Sequence, residues 1–354
     1  MQRNNTAIVC LSSNAGGMEL DTLRLVNKIK AYSQVVLISK KNTFISKEAK
    51  NIDSIISKEV HFKSSFSISL ILQIRNIVQE QNIKNFIFFG ASELKSLYFS
   101  LLGLDINLII RHGTTKTRPK KDCFHKLIYS NVNYHVSISE HILKNVKDII
   151  PFGKQSVECL IYPSIKSIKQ FSKNECSDIK LLHTGRITDG KGQVDGIKAC
   201  SILIKNGINF TFDIVGGYEN EKEKEKFLTI LNTIPYKGNI NLVGFSNDIS
   251  FFFETSNIFI FPSYGEGFGN SFAEALGAGL ICICYENTTF IEFKKLGFYI
   301  HMVENKNISL LQEKLLYIVH HIDDEQRKSR HNVKLVEKIF CEENEIKKYL
   351  EILK

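Results

Sequence analysis

The chain has 354 residues, of which 43% are hydrophobic and 23% charged, which gives room for two domains with real cores and excludes a disordered polymer or a single small module. The net charge of +9 invites a nucleic-acid partner, but it is unevenly spread. Residues 1–170 hold 24 Lys and Arg against 12 Asp and Glu, net +12, and residues 171–354 hold 22 against 25, net −3. A basic half joined to a slightly acidic half implies two surfaces with different partners, not a general polyanion binder.

From the N-terminus, short apolar runs alternate with helix-length amphipathic stretches. Strands are predicted at 7–11, 34–39, 85–89, 107–110, 134–138, 180–183, 209–215, 239–243, 258–261 and 280–284. Most are continuously apolar, as suits strands of a parallel sheet covered on both faces. Helical stretches include 19–31, 68–81, 194–206 and 272–278, so the pattern is βα repeated, twice over. Residues 163–178 break the pattern and read as an interdomain hinge, giving domains at 1–168 and 169–354. The EKEKEK run at 221–226 reads as a solvated helical face. Residues 323–330 and 337–354 read as C-terminal surface helices, with packing back on the first domain as an option. Eight cysteines without a CxxC pair argue against a disulfide framework or a zinc site and for a reducing compartment. The N-terminus has too few apolar residues for a secretory signal, and no run approaches the ~20 residues needed to span a bilayer. A cytoplasmic protein is expected, free or peripheral to the membrane.

Two loops carry the chemistry. Gly185-Arg186-Ile187-Thr188-Asp189-Gly190-Lys191-Gly192 follows a buried strand and opens a helix. It is nearly a nucleotide-triphosphate P-loop, but Gly192 replaces the magnesium-binding Ser or Thr, which disfavours a nucleoside triphosphatase. Free N–H groups still make an anion site, and Arg186 and Lys191 add two cations that reach a diphosphate; alone, the segment also fits an ordinary glycine turn. The second loop runs from Pro262 to Gly279, PSYGEGFGNSFAEALGAG, between a strand and a helix. Its Glu266 and Glu274 can accept hydrogen bonds from sugar or ribose hydroxyls while the Gly267–Gly269 amides hold an anion. Ser271 and Glu274 also have capping-box spacing, so Glu274 has a purely local alternative.

Together these loops resemble glycosyltransferase family 4. The matches are G-R-x4-K-G at Gly185–Gly192, NINLVGF at 239–245, and P-S-x2-E-G-F-G-x4-E-A-x3-G from Pro262 to Gly279, with the E-x7-E spacing the most specific. In the first half, Gly16-Gly17 resembles the family's turn after the first strand, and Val136–Glu140 its last strand and helix start. The resemblance implies an α/β GT-B fold of two Rossmann-like domains with parallel sheets facing a cleft, and a retaining, metal-independent transfer from a nucleotide-diphosphate sugar. Of the ten histidines, none has convincing metal-ligand spacing, and His320-His321 with Asp323-Asp324 read as a surface helix end.

Carried over by position, Arg186 and Lys191 would stabilise the leaving diphosphate and Glu266 would contact the sugar. Glu274 would take the ribose, and Phe268 and Gly269 amides, with Gly185 and Gly267 in the same loops, would line the donor. Val243, Gly244 and Phe245 would lie beside the base, and Gly17 would admit the donor to the first domain's backbone. His112 would touch the transferred sugar or the acceptor, although a strand-end histidine is also often a plain core residue. The basic cluster of Arg111, Lys116, Arg118, Lys120 and Lys121 would face an anionic acceptor, a glycan or glycolipid of the lipopolysaccharide-core or cell-surface type at the inner face of the cytoplasmic membrane. Stacking aromatics for nucleic acid are sparse there, and a solvated loop is the plain alternative. The chain departs from the family at Leu280, where Pro is usual, and at Glu286–Thr289, where a Gly-Gly pair is usual, so neither the sugar nor the base, UDP or GDP, is specified. The other readings are a nucleotide-sugar epimerase and a non-catalytic polyanion binder.

Overall fold

The computed structural model describes residues 4–14, 16–166, 179–246 and 248–353. The chain divides into two units, Met1–Pro163 with Glu342–Lys354, and Ser164–Cys341. Of the expected hinge, residues 167–178 lie outside the described residues.

In the first unit, strands β1 (Asn5–Cys10), β2 (Val35–Lys40), β3 (Ile56–Val60), β4 (Ile83–Phe89), β5 (Asn107–His112), β6 (Tyr134–Ser137) and β7 (Val157–Leu160) form one sheet in the order β3-β2-β1-β4-β5-β6-β7. Every pairing in it is parallel. The second unit repeats the design with β8 (Ile179–Thr184), β9 (Phe210–Val215), β10 (Ile240–Gly244), β11 (Ile258–Phe261), β12 (Ile281–Tyr285) and β13 (His301–Val303), ordered β10-β9-β8-β11-β12-β13 and again all parallel. Both are the doubly wound order in which the winding reverses beside the first strand, at β1/β4 and at β8/β11. Ligands of such sheets bind outside the carboxyl ends of the strands at that reversal.

Central strands are buried along their length, VVLIS in β2 and ICICY in β12, because helices cover both faces. The strands not expected from sequence, β3, β7 and β13, all lie at sheet edges. There one flank is open, and ISKEV alternates half-buried and exposed positions up to the buried Val60 instead of running apolar.

The first unit's core joins Ile8, Leu37, Ile87 and Ile109 of the sheet to Leu25, Val26 and Ile29 of the helix Gly17–Ile29. The C-terminal helix Glu342–Ile352 is not merely a surface helix: Ile346, Tyr349 and Ile352 enter this same core. The second unit packs Phe212, Ile214, Ile260 and Ile283 against Ile197, Leu311, Leu315 and Ile318. The helix expected over 194–206 is two, Gln193–Ala199 and Ser201–Lys205, because the chain tightens at Cys200, whose N–H is shared among the carbonyls of Gly196, Ile197 and Lys198. The EKEKEK run opens the helix Glu221–Asn232, capped by Asn220. Among the described residues no helix is long and apolar enough to cross a membrane.

Candidate functional site

The two loops that stand out in the sequence follow β8 and β11, which are neighbours in the second sheet although some seventy residues separate them. Their backbones touch. Tyr264 N–H donates to the Gly190 carbonyl at 2.9 Å, and the Ser263 hydroxyl reaches the same oxygen at 3.2 Å. Gly192 sits at φ +75 where a Cβ would lie 2.0 Å from the Pro262 carbonyl oxygen, so the approach requires a glycine.

At this junction Lys191 Nζ bridges both carboxylate oxygens of Glu266, at 2.7 and 2.9 Å. The Ser263 hydroxyl donates to Glu266 Oε1 at 2.7 Å, and the carboxylate is only 9% exposed against 31% for the lysine. A half-open cation thus stands on a nearly buried, hydrogen-bonded anion. The loop is held from behind by Thr288, whose Oγ1 accepts Glu266 N–H at 3.0 Å, and by Thr289, whose hydroxyl donates to the carbonyls of Glu266 and Gly267. These two threonines occupy the departure from the family's Gly-Gly pair, and Thr288 keeps a positive φ of +34. Their role was invisible in the sequence, where they read only as a mismatch.

Further support comes from Asp195, which accepts the hydroxyls of Tyr264 at 3.1 Å and Tyr285 at 2.8 Å. Burial, with the Asp195 charge, pushes Tyr264 up to about 12, so it remains a donor. His183 holds the Lys191 carbonyl at 3.0 Å through Nε2, and burial lowers its pKa to about 4.

Arg186 pairs with Glu219 at 3.2 Å, both groups being well exposed, and Glu219 also accepts the Thr188 hydroxyl. The charged face at 221–226 is more than solvated: Glu223 accepts the Asp189 N–H and Lys226 pairs with Asp189. Gly185 stands at the C-terminal end of β8, making a backbone bond to Val215. Val243 and Gly244 end β10, with Gly244 at φ +79, and Phe245 follows as an exposed ring. Gly269 at φ +81 caps the helix Asn270–Gly277, so Ser271 lies inside the helix and not at the N-cap position that the local alternative for Glu274 needs. The Phe268 ring is buried among Phe293 and Phe340.

In the first unit Gly17 opens the helix after β1, with open space around its α-carbon. His112 ends β5 and is 1% exposed. Burial and the charge of Lys116 hold its pKa well below 6.5, so it is neutral. Lys116 and Lys120 are fixed through their backbones to the helix Glu140–Ile149, at Asn145 and Ile149. Burial and the neighbouring Lys120 draw the Lys116 amine down to about 8. Arg118 and Lys121 are exposed. Arg111 does not belong with them: successive strand residues point to opposite faces, and Arg111 is 5% exposed, ion-paired with Asp21 and bonded to the Tyr349 hydroxyl at 3.1 Å. It is a core cation, not an acceptor contact. Among the described residues no three His, Cys, Asp or Glu side chains gather as a metal-ligand set.

Residues 164–334 match the family model "Glycosyl transferases group 1". Over 134 residues the chain is 28% identical to the capsular polysaccharide biosynthesis glycosyltransferase CapM of Staphylococcus aureus, covering 38% of this chain and 34% of that protein. The chain matches about a third of the length of its curated relatives. The structure of Anabaena Alr3699/HepE in complex with UDP and glucose superposes with a TM-score of 0.83 at 13% identity, over 99% of each chain. WaaG, a glycosyltransferase involved in lipopolysaccharide biosynthesis, superposes with a TM-score of 0.74 at 13% identity, over 98% of this chain and 99% of that one. At such identities the likeness is one of fold, and the fold is GT-B, each unit a parallel α/β sheet. Residues 164–334 thus carry a group 1 glycosyl transferase domain.

Proposed function

We propose that the protein is a retaining, metal-independent glycosyltransferase that moves a sugar from a nucleotide-diphosphate donor to an anionic glycan or glycolipid, in lipopolysaccharide-core or other cell-surface polysaccharide synthesis at the inner face of the cytoplasmic membrane. The observation that carries it is the Lys191–Glu266 pair at the winding reversal of a group 1 transferase domain. The UDP and glucose bound by Alr3699/HepE support the donor class, and the capsule and lipopolysaccharide roles named for CapM and WaaG support the acceptor class.

An activated glycosyl donor needs its departing diphosphate stabilised. Lys191, with Arg186, supplies positive charge where the charge develops, and loss of one preorganised group of this kind raises a barrier by about 3–4 kcal/mol. As the diphosphate engages Lys191, the Glu266 carboxylate is freed to accept sugar hydroxyls, still held by Ser263 while Thr288 keeps the Glu266 amide in place. Glu274 takes the ribose, the segment Val243–Phe245 flanks the base, and the amides of Gly267–Gly269 contact the sugar or phosphate. In the first unit, Gly17 leaves room for the donor, His112 donates to a substrate hydroxyl, and Lys116, Arg118, Lys120 and Lys121 attract the acceptor's negative charge.

A thermal-shift screen of nucleotide sugars identifies the donor, because a bound ligand stabilises by mass action. Sugar transfer is then compared in wild type, Glu266→Ala, Arg186→Ala and Lys191→Ala; unchanged transfer in all three refutes the reading. Release of an altered free sugar without acceptor would make the protein an epimerase instead, and an inverted anomeric proton in the product's NMR spectrum would remove the retaining assignment.

A further inference from the structure

On the transferase reading, Lys191 must keep its place while its ammonium changes partner. Three of its groups are bonded: the N–H to the Thr188 carbonyl at 3.1 Å, the ammonium to Glu266 at 2.7 and 2.9 Å, and the carbonyl to His183 Nε2 at 3.0 Å. A diphosphate that engages the ammonium removes the second anchor. The first joins Lys191 to the cap of its own short turn, Asp189–Lys191, and travels with that turn. Of the three, the carbonyl bond is the one that reaches out of the two loops, to β8, an interior strand of the second sheet. The peptide it holds joins Lys191 to Gly192, and a glycine tolerates either sign of φ, so the backbone resists little by itself.

His183 is fully buried, its ring centroid 4.9 Å from that of Phe261 and 6.4 Å from that of Phe259, and the Lys191 ammonium lies 5.8 Å from the Phe261 centroid. A carbonyl oxygen only accepts, so the proton of a neutral His183 sits on Nε2. Nδ1 then carries a lone pair, buried and with no hydrogen-bond partner among the described residues. The opposite tautomer would turn a lone pair to the carbonyl and orphan an N–H among aromatic rings, the costlier arrangement on both counts. Burial lowers the pKa to about 4, which keeps the ring neutral at physiological pH.

We propose that His183 is the positioning residue of the leaving-group site: its Nε2–H ties the Lys191 carbonyl to the second sheet, so that the ammonium stays in place when a diphosphate takes it over from Glu266. That the ligand is a diphosphate rests on the transferase reading above; the tautomer does not. Without the donor, the Lys191 carbonyl would be left unpaired against the Phe261 ring, and it would turn away toward water, taking the lysine with it.

The test compares turnover, in the full chain, of the nucleotide sugar found by thermal shift. His183→Phe keeps a ring and removes the donor; kcat should fall about 10–100-fold with the donor KM little changed, because a displaced Lys191 fails mainly where charge develops on the diphosphate. His183→Gln, whose side-chain amide offers N–H near the Nε2 position, should restore most of the turnover. In a Lys191→Ala background, His183→Phe should cost no further turnover, because the histidine acts through that lysine. Two-bond proton–nitrogen NMR correlations in the chain labelled with 15N-histidine should show wild-type His183 protonated at Nε2. An Nδ1–H His183 overturns the proposal, as does wild-type turnover in His183→Phe or an equal fold-loss in the Lys191→Ala background. If His183→Phe does not fold, His183→Asn, whose amide is too short to reach the carbonyl, takes its place in the same comparisons. A wild-type chain that transfers no sugar from any nucleotide sugar refutes the transferase reading and the proposal together, whereas transfer that is indifferent to His183 refutes the proposal alone.

Discussion

Replacing Gly192 by Ala tests the claim that the two site loops are held together by backbone contact. The residue occupies the left-handed region, φ +75 and ψ 14, where a non-glycine residue costs about 1–2 kcal/mol. The added Cβ would also lie 2.0 Å from the Pro262 carbonyl oxygen and 2.5 Å from its carbon. Both neighbours are backbone, so the loops must separate by more than about 1 Å to restore van der Waals distance. Separation breaks the bond from Tyr264 N–H to the Gly190 carbonyl, worth about 0.5–1.5 kcal/mol. The sum is a loss of about 1.5–3.5 kcal/mol, together with displacement of Lys191 from Glu266. Gly190→Ala is the internal control: its added Cβ meets nothing within 4 Å, and its φ is not positive. It should stay within about 0.5 kcal/mol of wild type. Urea unfolding followed by far-UV circular dichroism gives the stability, and calorimetry with the nucleotide sugar that the thermal-shift screen identifies gives the binding. A Gly192→Ala variant within about 1 kcal/mol of Gly190→Ala, with equal affinity for that nucleotide sugar, would refute the contact.

At Thr288, φ +34 strains a β-branched residue while its hydroxyl holds the Glu266 amide; Thr288→Ala keeps the strain and loses the bond, about 1–2 kcal/mol, whereas Thr288→Gly loses both. The glycine variant should therefore be the more stable of the two by urea unfolding, a reversal of the usual order, and the opposite ranking would show that the backbone there is relaxed. Arg111→Met leaves Asp21 buried without its cation and should cost about 3–5 kcal/mol, while the double replacement Arg111→Met with Asp21→Leu removes both charges and should cost far less; a loss from Arg111→Met within about 0.5 kcal/mol in chemical denaturation would return Arg111 to the surface. His135 and His183, one in each unit, have folded-state pKa values lowered to about 4 by burial, against an ordinary 6.5. Above pH 6.5 both states are neutral and nothing changes; as pH falls from 6.5 toward 4 the unfolded chain takes up protons that the fold excludes, so stability falls by about 2 kcal/mol per histidine between pH 7 and 5. The urea midpoint should follow, and His183→Phe and His135→Phe should each remove that histidine's own share of the slope.

The central strands were legible because burial on both faces leaves an apolar run in the sequence, as in FIFF of β4 and ICIC of β12. Edge strands carry no such run: β3 has Lys58 and Glu59 in its middle, β7 is half-exposed, and β13 is three residues long. The two glycine loops were readable because close backbone approach restricts residue type, which leaves a mark in sequence. The supports of Glu266 were not, since Ser263, Thr288 and Thr289 act through hydroxyls that look like any loop residue until the chain is folded. Arg111 was misread for a related reason. In RHGTTKTRPK it belongs to a charge cluster, but strand alternation sends it to the opposite face from His112, against an aspartate ninety residues earlier and a tyrosine near the C-terminus.

The charge asymmetry of the chain has a counterpart in how each unit treats its cations. In the second unit the cations at these loops are paired with carboxylates, Arg186 with Glu219, Lys191 with Glu266 and, from the helix Glu221–Asn232, Lys226 with Asp189. On the proposed reading, an arriving diphosphate would not meet bare positive charge; it would take over a cation from a carboxylate already held in position. Because the Glu266 carboxylate accepts from Ser263 and its amide is held by Thr288, it would not have to move when the lysine changed partner. The carboxylate would stay where a sugar hydroxyl could use it, with little reorganisation left for the transition state. In the first unit burial and mutual repulsion hold the Lys116 amine near 8, with His112 neutral beside it. A multiply charged anion binding there would draw that lysine back to full protonation, so acceptor affinity should rise as pH falls from 9 toward 7 while donor affinity, governed by matched pairs, stays level. Parallel pH dependences for the two ligands would contradict this division of electrostatic labour.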